Sequence, residues 1–190
     1  MMGGIGSGKS FISKLFNYPV FNADQEVNNV YRKNKKCYNQ LKKRLPKFIK
    51  SFPIKKSELI EAISSNRKNI KIISSIVHPI VRKRMDKFLS QNRNSQIVVL
   101  DIPLLIENKL NKKGDILVFV RSKKSKILKR LKKRKNYNLK IIEVLKQNQS
   151  KLLKKRKLAK YIIDNNYSAN IMRKKIKILE ENIFYERSNS

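Results

Sequence analysis

Cysteine occurs once, at Cys37, so the chain can form no internal disulfide and offers no cysteine cluster to a metal. That usage suits a reducing, cytoplasmic setting. Histidine also occurs once, at His78, and tryptophan is absent. No run of about 18 apolar residues is present, so no membrane-spanning helix is expected. The N-terminus enters a glycine-rich loop almost at once, and no signal peptide is expected either. Acidic residues are scarce, 13 against 47 basic ones, for a net charge of +34. Glycine is scarcer still. Of its five occurrences, Gly3, Gly4, Gly6 and Gly8 fall within six residues, and only Gly114 lies elsewhere.

The charge excess admits two readings. Lysine is spread along the whole chain beside abundant Asn and Ile, the mix expected when coding sequence drifts toward A and T. The basic residues form no single stripe interleaved with aromatics, as a nucleic-acid surface would. Compositional drift is therefore the preferred reading, and no specific nucleic-acid partner is expected. Either way, a basic protein attracts polyphosphate substrates and loses part of that steering in salt. The 190 residues suffice for one domain with a substantial core and a small insertion.

The glycine cluster is the most informative stretch. Gly3-Gly4-Ile5-Gly6-Ser7-Gly8-Lys9-Ser10 fits the phosphate-binding pattern G-x-x-x-x-G-K-[ST]. Glycines there let the backbone approach a phosphate closely, and successive N–H groups form an anion-binding nest. Lys9 can bridge the β- and γ-phosphates of ATP, and the Ser10 hydroxyl can ligate Mg²⁺. Such a loop is expected to follow a buried central strand, yet only Met1 and Met2 precede Gly3. The first strand therefore reads as truncated.

Periodicity orders the rest. Residues 9–16 read as a helix and Val20-Phe21 as a short strand. Asp24, just beyond that strand, is either a helix cap or a carboxylate facing the ligand crevice. Residues 33–93 are largely helical and basic, a region expected to cover the acceptor substrate. His78-Pro79 reads as the start of a helix over 79–90. Residues 96–101 form the clearest strand, ending in Asp101, whose carboxylate can hold Mg²⁺ directly or through water. A strand over 115–120 leads to a helix over 123–134, within a lid region over 123–150 that carries Arg130 and Arg134. Helices over 139–147 and 151–158, a strand over 159–164 and a helix over 169–184 complete the chain. Strands alternating with helices after a phosphate loop indicate an α/β fold, a three-layer parallel sheet of the P-loop NTPase type.

Together these motifs resemble the dephospho-CoA kinase family. The residues that carry the resemblance are the loop over 3–10, Val20-Phe21-Asn22-Ala23-Asp24, His78-Pro79-Ile80-Val81-Arg82, the run from Val99-Leu100-Asp101 through Pro103-Leu104-Leu105-Ile106-Glu107-Asn108, and Ile162-Ile163-Asp164-Asn165. The resemblance implies transfer of the ATP γ-phosphoryl group to the 3′-hydroxyl of dephospho-CoA. It also implies roles: Gly6, Ser7, Gly8 and Lys9 cradle the ATP phosphates, the Phe11 N–H keeps a phosphate contact, and Ser10 holds Mg²⁺. Asp24 orients or deprotonates the attacking hydroxyl, and Arg130 and Arg134 serve as lid cations. Three positions depart from the family pattern: Asn22 replaces an aspartate, Phe11 a hydroxyl residue, and Lys160 an aspartate. The alternatives are a nucleoside or nucleotide kinase of related architecture and a non-enzymatic, basic polyanion-binding protein.

Overall fold

The computed structural model describes residues 1–103, 111–132 and 149–189. Two compact units emerge, one from residues 1–20 and 97–190, the other from residues 21–96. The helix expected over 139–147 lies outside the described residues, as do Arg134 and the run from Leu104 to Asn108.

The first unit is built on short parallel strands. Helix α1 (Lys9–Ser13) follows the loop, and the chain then leads to β1 (Val20–Asn22), which carries it out of this unit. It returns at β2 (Val99–Asp101) and continues through β3 (Val118–Arg121), α6 (Lys124–Lys132), α7 (Gln149–Leu158), β4 (Tyr161–Asp164) and α8 (Ala169–Ser188). Strands β3 and β4 pair in parallel, Val118 opposite Tyr161 and Arg121 opposite Asp164. The Val99 N–H donates to the Pro19 carbonyl at 2.9 Å, which sets the start of β1 beside β2.

Met1 and Met2 fill the slot between β2 and β3. The Met1 nitrogen donates to the Leu100 carbonyl at 2.7 Å. On the other side the Met2 N–H donates to Val118 at 2.7 Å, and the Val120 N–H to Met2 at 2.8 Å. Met2 forms an isolated parallel bridge to Phe119, and both methionines are buried, so only the end of the expected first strand is present. Beyond Met1 the same slot is open, a cavity of about 170 Å³ lined by Met1, Val98, Val99, Leu100, Ile116 and Leu117.

The core of this unit follows the sequence periodicity. Helix α8 buries Met172, Ile176, Leu179 and Ile183, a repeat of three to four residues that places one stripe against the strands. Those side chains meet Ile12 and Phe16 from the loop side and Val118, Val120 and Ile163 from the strands.

The second unit is helical: α2 (Ala23–Lys33), α3 (Lys35–Arg44), α4 (Lys56–Ser65) and α5 (Asn69–Gln91). Asn22 caps α2 by accepting from the Gln25 N–H at 2.8 Å, and Asn34 caps α3 in the same way from Cys37, also at 2.8 Å. Val30, Cys37, Leu41, Ile49, Ala62 and Val77 form its buried centre. Contrary to the sequence expectation, His78-Pro79 does not open a helix, because α5 runs through it with Pro79 inside. A proline removes one hydrogen bond and crowds the preceding turn, a cost of about 3 kcal/mol in an isolated helix. Here Ile73 and Val77 before the proline and Met85 after it are all buried, so tertiary packing holds the two halves in one helix.

Candidate functional site

The loop over residues 3–10 has the conformation its glycines foretell. Gly3 and Gly8, the two fixed positions of the pattern, have φ of 141° and 91°. A Cβ on Gly3 would stand 2.4 Å from the Val120 carbonyl oxygen, and one on Gly8 would stand 2.2 Å from the Asn165 amide nitrogen. A side chain at Gly3 would run into backbone, and one at Gly8 would have to push the Asn165 side chain aside. The loop closes on itself through a Ser7 N–H donated to the Gly4 carbonyl at 3.2 Å, and α1 begins as Ile12 donates to Gly8 at 2.9 Å.

Lys9 folds over the loop, its ammonium donating to the Gly3 and Gly4 carbonyls at 2.9 and 3.0 Å. A positive charge is thereby held at the mouth of the nest, where phosphate oxygens can exchange for the two carbonyls. Ser10 is exposed in the first turn of α1, while Asp101 at the end of β2 is almost wholly buried. Helix α1 packs against β2, so the hydroxyl and the carboxylate sit on adjoining elements. Phe11 is half-buried, its ring 6.2 Å from that of Tyr167.

Sequence reading overlooked Tyr167. It stands in the turn between β4 and α8, and its hydroxyl donates to the Gly6 carbonyl at 2.5 Å. Its neighbour Asn165, buried, donates to the Ser7 carbonyl at 2.9 Å. The guanidinium of Arg130, near the end of α6, lies 4.3 Å from the centre of the Tyr167 ring. The signal for Asn165 was its place after a strand-end aspartate. No local pattern marked Tyr167, whose partner is 161 residues away.

A cavity of about 260 Å³ opens beside the loop, lined by Gly4, Ile5 and Ser7, by Leu128 of α6 and by Arg121 and Arg156. Arg121 at the end of β3 clamps Asp164 at the end of β4 through two hydrogen bonds of 2.5 and 2.6 Å. The Arg121 hydrogen bond holds the Asp164 carboxyl below its usual range, against the smaller opposing effect of burial.

The remaining candidates belong to the second unit. Asp24 is exposed in the first turn of α2, and the cap of that helix is Asn22 rather than Asp24. Glu26, two residues further in the same turn, pairs with Arg84 of α5 at 2.8 Å. His78 is half-buried in α5, and burial, with Arg82 nearby, holds its imidazole below its ordinary value. A neutral imidazole at physiological pH is the expected state there.

The structure thus gathers Gly6, Ser7, Gly8, Lys9, Ser10, Phe11, Asp101 and Arg130 in one unit and carries Asp24 on the other. No group of three or more His, Cys, Asp or Glu side chains suited to a metal is found among the described residues. No helix among them is long and apolar enough to cross a membrane.

Comparison with known proteins gives a consistent picture. The family model for dephospho-CoA kinase matches residues 1–170. A dephospho-CoA kinase of Wolbachia sp. subsp. Brugia malayi is 31% identical over 173 residues, covering 88% of each chain. That of Oceanobacillus iheyensis is 34% identical over 177 residues, again covering 88% of each. Among solved structures, TT1252 from Thermus thermophilus superposes with a TM-score of 0.75 at 26% identity, covering 95% of this chain and 94% of that one. The dephospho-CoA kinase of Campylobacter jejuni gives a TM-score of 0.64 at 21% identity, covering 95% of both, and supports the fold.

Proposed function

The chain belongs to the dephospho-CoA kinase family, and from that premise we propose that it transfers the γ-phosphoryl group of ATP to the 3′-hydroxyl of dephospho-CoA, giving coenzyme A and ADP. The observation that carries the proposal is the phosphate loop itself: its two pattern glycines sit at positive φ with no free space for a Cβ, and its lysine is already held at its mouth.

In this reading the N–H groups of residues 6–11 and the Lys9 ammonium bind the ATP phosphates, the Ser7 N–H exchanging its Gly4 carbonyl partner for phosphate. The oxygen donors of Ser10 and Asp101, on adjoining elements, fit Mg²⁺, a hard cation that keeps several of its waters and takes only one or two protein ligands. When bound, that ion neutralises charge on the β- and γ-phosphates. Asp24 receives the proton of the ribose 3′-hydroxyl as its oxygen forms a bond to the γ-phosphorus. The bond from that phosphorus to the β–γ bridging oxygen breaks, and ADP leaves with the electron pair. Arg130 supplies positive charge to the transferring group, and Arg134 is assigned the same role. An arginine so placed accelerates phosphoryl transfer by about 10³–10⁵. The acceptor-covering role is assigned to the helical region over 33–93 and the lid role to 123–150, of which 133–148 lie outside the described residues. A cytoplasmic setting is part of the proposal, in keeping with a chain that uses cysteine only once, at Cys37.

An acceptor panel tests this. With MgATP in excess, dephospho-CoA is expected to be phosphorylated at a kcat/KM at least about 100-fold above that of adenosine, AMP or deoxynucleosides, the discrimination of two or more lost polar contacts. Preference for a nucleoside or nucleotide would replace the proposed acceptor while keeping the kinase assignment.

A further inference from the structure

Tyr167 has a positive φ of 66°, a conformation that glycine adopts freely and tyrosine does not. Strain of that kind persists where the surroundings impose it, and it points to use rather than accident. Three contacts converge on this residue. Its hydroxyl bonds the Gly6 carbonyl at 2.5 Å, its ring carries the Arg130 guanidinium at 4.3 Å, and its N–H donates to the Asn165 side chain at 2.8 Å. Asn165 in turn holds the Ser7 carbonyl at 2.9 Å.

Peptide geometry turns these contacts into a constraint on the nest. In a trans peptide the carbonyl of one residue and the N–H of the next point in opposite directions. Drawing the Ser7 carbonyl toward Asn165 therefore turns the Gly8 N–H away from it, and drawing the Gly6 carbonyl toward Tyr167 orients the Ser7 peptide. Two consecutive peptide planes of the loop are thus fixed from outside before any phosphate arrives. The same ring holds Arg130, a flexible side chain whose ordering otherwise costs binding free energy.

We propose that Tyr167 is a positioning residue for ATP: its hydroxyl sets the Gly6 peptide plane and its ring docks Arg130 beside the loop. This rests on the assignment of the loop to the ATP phosphates. Tyr167→Phe removes one oxygen atom and keeps the ring, while Tyr167→Leu removes both functions. The measurements are the ATP dissociation constant, by displacement of a fluorescent ATP analogue, and steady-state kcat and KM.

The Phe variant is expected to bind ATP about 3–10-fold more weakly, the worth of one hydrogen bond, with kcat within about twofold of the parent. The Leu variant is expected to lose kcat as well, and Arg130→Ala is expected to cost less in that background than in the parent. Unchanged ATP affinity in the Phe variant of an active parent overturns the role of the hydroxyl, whether or not the Leu variant folds. Additive effects of Tyr167→Leu and Arg130→Ala overturn the docking of Arg130. A parent that binds no ATP refutes the function on which the proposal rests, a result distinct from either.

Discussion

Replacing Gly8 by alanine tests the loop and its brace together. Two costs follow from the structure. Gly8 has φ of 91°, and an L-residue forced into a left-handed conformation loses about 1–2 kcal/mol. The new methyl would also lie 2.2 Å from the Asn165 amide nitrogen and 2.9 Å from a Tyr167 ring carbon. Asn165 must then leave its buried bond to the Ser7 carbonyl, at about 1–3 kcal/mol for polar groups left unsatisfied. The sum is about 2–5 kcal/mol. With a urea slope of about 2 kcal/mol per molar, the midpoint of the unfolding step that includes this unit should fall by about 1–2.5 M.

Gly114→Ala is the matched control. Gly114 has φ of 92°, and a Cβ there would meet nothing within 4 Å. It should therefore incur the conformational cost alone. Urea titration followed by circular dichroism, together with ATP affinity for each variant, separates the two costs. Gly8→Ala is expected to lose more stability than Gly114→Ala and to bind ATP at least about tenfold more weakly, with Gly114→Ala keeping the parent affinity. Equal stability losses and parental ATP binding in Gly8→Ala would refute the argument that Asn165 occupies the space a side chain needs.

Two other predictions concern chemistry and the second unit. Lys9→Ala and Asp24→Asn should each lower kcat by at least about 100-fold with melting temperatures near that of the parent, and near-normal turnover in Asp24→Asn would remove Asp24 from the mechanism. Burial pushes the Cys37 thiol from 9.0 up to about 11. Between those values the unfolded chain releases a proton that the folded unit keeps, so stability is fully present below about pH 9 and is lost as pH rises toward 11. The loss is on the order of 2–3 kcal/mol. Tyr31, raised to about 12 chiefly by burial and secondarily by Cys37, acts in the same direction at higher pH. Urea midpoints measured between pH 8 and 11 should decline more steeply in the parent than in Cys37→Ala, and parallel declines would show that the thiol is not held protonated.

What was legible in the sequence is what depends on local backbone chemistry. The loop declared itself because phosphate binding needs glycines, a lysine and a hydroxyl at fixed spacing, and Gly3 and Gly8 sit where no Cβ fits. Asp101 was legible as an acid ending an apolar strand, and α8 as a repeat of buried positions three to four residues apart. Asn22 caps α2 by accepting from the Gln25 N–H three residues on, a local contact that the sequence does carry. Other features were settled by partners far along the chain. Met1 and Met2 are held in the slot because Leu100, Val118 and Val120 offer hydrogen-bonding groups on either side. Pro79 stays inside α5 because Ile73, Val77 and Met85 are packed before and after it. Tyr167 was invisible for the same reason: its role lies in contacts with Gly6 and Arg130, which no short window contains.

The most direct test of the account is to incubate the purified protein with MgATP and dephospho-CoA and to follow coenzyme A and ADP by chromatography, with Lys9→Ala beside it. The account predicts one coenzyme A for each ADP, phosphorylated at the ribose 3′ position, and almost none from the variant. ADP formed without coenzyme A, or equal product from Lys9→Ala, would contradict it.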